Sequence, residues 1–282
     1  MKICTMELKE FKISLNSGEK LFAWYAAPAS SPQAVICLSH GWGEHSLRYK
    51  HWAQRFVDSG YAFLSWDQYG HGQSDGQKGH VKDYEVFMES IDKALNIASE
   101  KFPGAPVVLY GHSMGGNTAI NFAIRHNNPF NLLVATSPWL RLATPAPAAL
   151  KVLVKVLNVI WPSFPITAPL EAEKISHIPE EVEKYKTDPL NHSKITPRLY
   201  KVIVESGDYA IEHAAEIKKT MLLLHGDADE VTSFDKSSEL AVKAPNCSFI
   251  PWKGMFHELH NETLQEEVFK MIKEWISGNL EK

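Results

Sequence analysis

The chain has 282 residues and a formal net charge of −4, with 29 basic and 33 acidic residues intermixed along it. Since the sequence shows neither a basic stripe nor an acidic tail, the composition excludes nucleic acid as an expected partner and favours neutral or weakly charged ligands. The three cysteines, Cys4, Cys37 and Cys247, do not form a disulfide pattern, and the first residues lack a signal-peptide or anchor pattern, so we expect a reducing, cytoplasmic location.

Short apolar runs alternate with longer amphipathic segments along the chain, which is typical of strands alternating with helices. The first two runs flank an Asn-Ser-Gly turn and predict an antiparallel hairpin. The later runs are continuous, as expected for strands that are covered on both faces. In chain order the predicted strands are KEFKISL, KLFAWYA, AVICL, YAFLSW, VVLY, LLVAT, MLLLH and SFIPW.

Helical patterns lie between most of these strands. Residues 83–100 and 263–276 both carry apolar side chains at the spacing of one helix face. The whole pattern predicts an α/β fold with a mostly parallel, eight-stranded sheet flanked by two layers of helices.

Residues 138–210 interrupt this alternation, because they are rich in proline and contain no strand-like run before KVIVE at 201–205. We interpret them as a helical lid inserted between the sixth and seventh strands. The main domain is then formed by residues 1–137 and 211–282.

The lid contains one strongly apolar segment, AALKVLVKVLNVIW at 148–161. Lys151, Lys155 and Asn158 fall on one narrow stripe at helical spacing, and most of the remaining circumference is apolar. The segment is too short and too charged to cross a bilayer, which requires roughly 20 apolar residues. Two interpretations stay open: a lid helix that lines an acyl site or transiently touches a lipid surface, and a helix that only packs on the main domain.

The fifth strand runs directly into Gly111-His112-Ser113-Met114-Gly115, and a helical pattern follows. A Gly-x-Ser-x-Gly sequence between a strand and a helix predicts a nucleophile elbow, a strained turn that exposes the serine hydroxyl above the sheet. The glycines are needed where neighbouring backbone comes close, and the helix N-terminus points its positive dipole end at developing negative charge. The alternative is an ordinary glycine-rich turn.

A serine hydroxyl is a weak nucleophile unless a base removes its proton, so the elbow requires an acid and a histidine later in the chain. Asp227 and Asp229 follow the seventh strand, and His257 and His260 follow the eighth. Loops at the carboxyl ends of parallel strands open on one crevice. We favour Asp229 and His257, with Ser113 as nucleophile, His257 as base and then acid, and Asp229 as the group that orients the imidazole.

Acyl transfer also needs hydrogen-bond donors for the oxyanion, usually one amide after the nucleophile and one in the loop after the third strand. These criteria select the backbone amides of Met114 and Trp42, the latter in the sequence HGWG. A plain glycine turn is the alternative for this loop. No metal or cofactor is predicted, because HELH at 257–260 lacks the His-Glu-x-x-His spacing of zinc proteases.

Five motifs, in this order and spacing, resemble the monoacylglycerol lipase and lysophospholipase-like branch of the α/β-hydrolases: SHGWGEHSLRY, DQYGHGQSDG, GHSMGG, HGDADEVT and FHELHNE. The resemblance spans residues 10–278 and implies the α/β-hydrolase fold for the main domain. By motif it places the nucleophile on Ser113, the acid on Asp229, the base on His257 and the oxyanion amides on Trp42 and Met114. It implies a serine hydrolase that cleaves carboxylic esters of lipid-like substrates, monoacylglycerol or lysophospholipid, through an acyl-enzyme.

Other functions on the same fold stay open. A short-chain carboxylesterase would need only the triad, and an aminopeptidase-like hydrolase could take carboxylates for the substrate amine from the acidic lid stretch 171–185. A non-catalytic binding protein is disfavoured because no triad member is missing. His71, in the Gly-His-Gly turn at 70–72, is interpreted as structural.

Overall fold

The computed structural model describes residues 6–126 and 130–280, so Cys4 lies outside the described residues. Its strands are β1 Lys9–Ser14, β2 Lys20–Ala26, β3 Val35–Ser39, β4 Ala62–Trp66, β5 Val107–His112, β6 Leu132–Thr136, β7 Ile166–Thr167, β8 Lys194–Ile195, β9 Thr220–Gly226 and β10 Cys247–Trp252. Its helices are α1 Lys50–Asp58, α2 Glu85–Lys101, α3 Met114–Arg125, α4 Ala148–Ile160, α5 Pro179–Thr187, α6 Pro197–Glu212, α7 Phe234–Lys243 and α8 Gln265–Leu280.

One eight-stranded sheet forms the centre of the molecule, in the order β1-β2-β4-β3-β5-β6-β9-β10. The pairs β1-β2 and β2-β4 are antiparallel, and the other neighbours are parallel. All eight predicted strands and the N-terminal hairpin are therefore confirmed. The small strands β7 and β8 pair with each other within the insertion.

Two hydrophobic layers cover the sheet, as strand β3 illustrates. Val35 and Cys37 pack on the side of α2, α3, α6 and α7, whereas Ile36 and Leu38 pack on the side of α1 and α8. Because successive side chains of a strand point to opposite faces, a continuous apolar run is buried on both sides. The predicted helices at 83–100 and 263–276 are confirmed as α2 and α8.

The insertion between β6 and β9 contains α4, α5 and α6. The run KVIVE is not a strand but part of helix α6, where Ile203 is buried. Thr196 caps this helix by accepting from Leu199 N, and Pro197 is its first residue. Helix α6 packs on α3, where Asn117 Nδ2 donates to Ile203 O at 3.1 Å. The boundary drawn at residue 210 falls inside α6, and the division into main domain and lid stays a prediction.

In the part of the chain that the structure describes, none of the helices combines the length and the apolar character needed to span a bilayer.

Candidate active site

Ser113 lies between the end of β5 and the start of α3, with φ 54° and ψ −118°. Such positive φ values are strained for a residue with a side chain, and strain of this kind is typical of functional turns. A Cβ atom at Gly111 would lie 2.2 Å from Gly115 O, and one at Gly115 would lie 2.0 Å from Ser39 O. Both glycines are therefore required by close backbone contact. The turn has the geometry of a nucleophile elbow.

His257 follows β10 and is paired with Asp229. The His257 Nδ1–H donates to Asp229 Oδ2 at 2.7 Å, and both residues are buried. Burial alone would lower the pKa of His257, but the charge and the hydrogen bond of Asp229 outweigh it and raise that pKa. Burial alone would raise the pKa of Asp229, but His257 and the hydrogen bond from His225 hold it well below its usual range. Asp229 is therefore an ionised partner for His257.

The two candidate aspartates have different environments. Asp229 Oδ1 accepts from the amides of Val231 at 2.7 Å and Thr232 at 3.0 Å, which fixes the carboxylate in the loop after β9. Asp227 is exposed, and its Oδ1 accepts from Gly254 N at 2.5 Å. Asp227 thus joins two loops and does not contact His257 through a hydrogen bond.

The two candidate histidines are equally distinct. The ring of His260 is buried and stacks on Tyr49 with 4.6 Å between centroids, and neither ring nitrogen has a hydrogen-bond partner among the described residues. Burial lowers the pKa of His260 to about 3. Ser113 and His257 therefore line one cavity, with Asp229 paired to His257, whereas His260 is buried in the core.

The loop after β3 lies against the elbow, because a Cβ atom at Gly41 would lie 3.1 Å from Ser113 Cβ. His40 stabilises this loop: its Nε2 accepts from Gln68 N at 2.9 Å, so its Nδ1 carries the proton and donates to Gly41 O at 2.7 Å. Within the described residues, the amides of Trp42 and Met114 donate to no protein acceptor. Both amides are therefore free to bind an oxyanion.

A buried ion-pair network beside this loop was missed by the sequence analysis. Glu44 Oε1 accepts from Gly41 N at 2.6 Å and from Tyr49 OH at 2.8 Å. Arg48 pairs with Glu44 at 2.5 Å and makes two hydrogen bonds to Glu258 at 2.7 and 2.8 Å. The charged residues that follow the HGWG sequence and His257 were the available signal, because buried charges are rare unless paired.

Two further histidines lie near the site. His225, at the end of β9, contacts Asp229 Oδ2 at 3.0 Å. No role was predicted for it from the sequence. His71 is buried, bonds Tyr69 O at 3.0 Å through Nδ1 and packs on His192, which fits the structural interpretation. Across residues 6–126 and 130–280, no group of three His, Cys, Asp or Glu side chains could hold a metal ion.

A cavity of about 300 Å³ extends from Ser113 under the insertion. Its polar wall includes Glu44, Glu258 and His257, and Tyr185 contributes from α5. The insertion supplies most of the apolar wall: Ala146, Leu150, Val154, Ile166, Ala168 and Leu170. The cavity surface is therefore mainly apolar, with a small polar area beside the ion-pair network.

Helix α4 confirms the predicted helix at 148–161, but its polar stripe is turned toward the protein. Asn158 Oδ1 accepts from Arg198 Nε of α6 at 2.8 Å, and Lys151 and Lys155 line a groove beside α6. Leu150 and Val154 reach the cavity. Leu157 is partly buried, and the remaining large apolar side chains of the segment are exposed: Val152, Leu153, Val156, Val159, Ile160 and Trp161.

Comparison with known proteins places this geometry in a family. A sequence model of the family described as serine aminopeptidase, S33, matches residues 30–264. The chain belongs to this family of α/β-hydrolases.

Relatives of this α/β-hydrolase carry names from lipid chemistry. It is 34% identical over 268 residues to the monoglyceride lipase of Homo sapiens, covering 92% of this chain and 88% of the relative. It is 30% identical over 256 residues to a monoacylglycerol lipase of Mycolicibacterium smegmatis, covering 90% and 91%. The crystal structure of Paleococcus ferrophilus monoacylglycerol lipase superposes with a TM-score of 0.82 at 30% identity, covering 97% of this chain and 100% of that one.

Proposed function

We propose that this serine hydrolase cleaves the ester bond of monoacylglycerols. The observation that carries the proposal is one mainly apolar cavity that Ser113 and His257 line, with Asp229 paired to His257 and a small polar area beside Glu44 and Glu258. The relatives named above are similar over nearly their whole length, which supports a lipid ester as the substrate class.

The residues have the following proposed roles. Ser113 Oγ attacks the ester carbonyl while His257 Nε2 takes its proton, and the amides of Trp42 and Met114 stabilise the oxyanion. The tetrahedral intermediate collapses to an acyl-serine, and the protonated His257 gives its proton to the departing alcohol. A water molecule, deprotonated by His257, then releases the fatty acid by the same steps in reverse. Asp229 holds the imidazole in the required tautomer.

The polar wall favours a leaving group with free hydroxyls. Glu44 and Glu258 are buried hydrogen-bond acceptors beside the elbow, and the single guanidinium of Arg48 compensates one of their two negative charges. Either carboxylate can accept a hydrogen bond from a neutral glycerol hydroxyl. The acidic lid stretch is engaged in surface pairs, such as Glu173 with Lys186. The hydroxyls of a polyol head match these acceptors, and the assay with aminoacyl amides described below decides between the two substrate classes.

The acyl chain length tests the apolar wall. Each buried methylene contributes about 0.8 kcal/mol, so kcat/KM should rise about fourfold per carbon from acetyl esters until the cavity is full. Val154→Thr keeps the shape of the side chain but puts a hydroxyl in the apolar wall. We expect it to lower kcat/KM for decanoyl glycerol about tenfold, through the cost of burying an unpaired hydroxyl, and to leave p-nitrophenyl acetate nearly unchanged.

The same assay separates the alternatives. A profile that peaks at acetyl or butyryl esters, with both activities falling together in Val154→Thr, would indicate a short-chain carboxylesterase. Faster cleavage of lysophospholipid than of monoacylglycerol would indicate a lysophospholipase. Rapid cleavage of aminoacyl amides would indicate a peptidase.

The outward face of α4 supports transient contact with a lipid surface. Val159 and Ile160 are 80% and 75% exposed and do not line the cavity. An exposed apolar helix face of this kind is typical of helices that lie in a membrane interface. Val159→Asp combined with Ile160→Asp should lower hydrolysis of monoacylglycerol in phosphatidylcholine vesicles about tenfold. Turnover of dissolved p-nitrophenyl butyrate should not change.

Val242→Asp is the matched control, because Val242 is 86% exposed on α7, away from the cavity. If Val242→Asp lowers vesicle hydrolysis as much as the α4 substitutions do, or if the α4 substitutions have no effect, contact through α4 is wrong.

A further inference from the structure

Asp229 binds two imidazoles, not one. His225 Nε2 lies 3.0 Å from Asp229 Oδ2, the same oxygen that His257 Nδ1 contacts at 2.7 Å. The His225 side chain is fully buried, and its Nδ1 lies 2.8 Å from the hydroxyl of Ser237 in α7. His225 therefore connects the loop after β9 to a helix that lies outside the cavity wall.

The proton positions on His225 follow from its partners. An ionised carboxylate only accepts, so Nε2 carries the proton and donates to Asp229. Nδ1 must then accept, and the hydroxyl of Ser237 is its donor. The chain of donors runs from Ser237 through His225 to Asp229, where it meets the proton of His257.

The surroundings leave His225 this one electrostatic partner. The ring of Phe234 packs edge-on with 5.8 Å between centroids, and the hydroxyl of Thr232 lies 3.4 Å from Nε2. Among the described residues, Asp229 is the one charged group within ion-pair distance of His225. The carboxylates that act on His257 are Asp229, Glu258 and Glu44, and the imidazoles of His112, with 4.8 Å between ring centroids, and His260 also face it.

We propose that His225 is a positioning residue that acts through Asp229: by donating a second imidazole N–H to Oδ2, it orients this carboxylate and limits the negative charge that acts on His257. The proposal rests on the proposed function, since it concerns the base of the same reaction. The hydroxyl of Thr232 also donates to Oδ2, at 2.9 Å, and donors on one oxygen share its charge, so each is bound less strongly than it would be alone. His257 then releases its proton at a lower pH and is available as a base over a wider range.

The direction of the expected effect follows. His257 acts as a base only when neutral, so kcat/KM falls on the acidic side of its pKa. Without the Nε2–H of His225, Asp229 shares its negative charge with one donor fewer. Asp229 then stabilises the protonated form of His257 more strongly. The acidic limb of the profile should therefore move to higher pH.

The experiment compares His225→Leu, which removes the donor, with His225→Gln, which places an amide N–H toward Asp229. For His225→Leu we expect the acidic limb of kcat/KM for p-nitrophenyl butyrate to rise by about half to one pH unit. KM should change little, and kcat on the alkaline plateau should fall about tenfold. His225→Gln should leave the acidic limb of kcat/KM at the pH of the wild type. His213→Gln, which alters a partly exposed histidine stacked on Tyr209, is the control and should match wild type.

Two further measurements keep the test decisive. Histidine ¹⁵N NMR follows the protonation of His257 directly, so the shift is measured even if the ester is not a substrate, a result that would count only against the proposed function. Ser237→Ala removes the hydroxyl that fixes the tautomer of His225 and leaves Asp229 unchanged. It should move the acidic limb of kcat/KM in the same direction by a smaller amount. An unmoved His257 titration in both His225→Leu and Ser237→Ala, or an equal shift in His225→Gln and His225→Leu, would overturn the proposal.

Discussion

Replacing Ser113 with alanine is expected to lower ester turnover by up to about a million-fold while the fold is retained. The substitution removes only Oγ, and the strained backbone at φ 54° already carries a Cβ atom in the wild type. The Ser113 carbonyl still accepts from Asn117 N and Trp139 N, so the turn keeps its contacts. The residual rate reflects the oxyanion amides and substrate binding alone.

A fluorophosphonate probe measures the same property without a substrate. It should label the wild type and not Ser113→Ala. Ser90→Ala is the matched control, because Ser90 is also buried but lies in α2 and donates to Val86 O. Labelling that persists in Ser113→Ala would place the nucleophile at another residue.

Asp229→Asn is expected to lower turnover about ten-thousand-fold, because an amide at this position can present an N–H to His257 Nδ1 and favour the wrong tautomer. Asp227→Asn should have a far smaller effect, since the exposed Asp227 carboxylate accepts from Gly254 N and not from His257. His260→Gln should also lower turnover only slightly, since the ring of His260 has no hydrogen-bond partner among the described residues.

Turnover numbers and thermal unfolding of the three variants, measured together, check this assignment. The Asp229 variant should lose activity without a matching loss of stability. Equal losses of turnover in Asp227→Asn and Asp229→Asn would show that the acid has been assigned to the wrong residue.

The site was predictable where its signals are local in sequence. Ser113 stands between a strand pattern and a helix pattern, and glycines mark the backbone contacts on either side. Asp229 and His257 follow strands whose carboxyl ends must meet at one edge of a parallel sheet. Helix α6 carried equally local signals, a Thr196 cap and Pro197, but its β-branched run KVIVE has high strand propensity, and packing on α3 decided its structure.

Other features depend on contacts between distant parts of the chain. Arg48 and Glu258 are separated by 210 positions, so no sequence window shows that their charges neutralise each other in the interior. The orientation of α4 was equally inaccessible. Periodicity shows that a helix has a polar stripe, but not which side faces the protein, and here Asn158 faces α6 while Val159 faces solvent.

The crowded backbone of the elbow restricts how this site can evolve. At Gly111 and Gly115 any side chain would collide with main-chain atoms, so mutation at either position removes the turn itself. The side chain of residue 113, in contrast, lines the cavity, so an exchange there changes the attacking group without adding a side chain at either glycine. Descendants of this chain can therefore exchange the attacking group, and with it the kind of bond that is broken, while inheriting the scaffold unaltered.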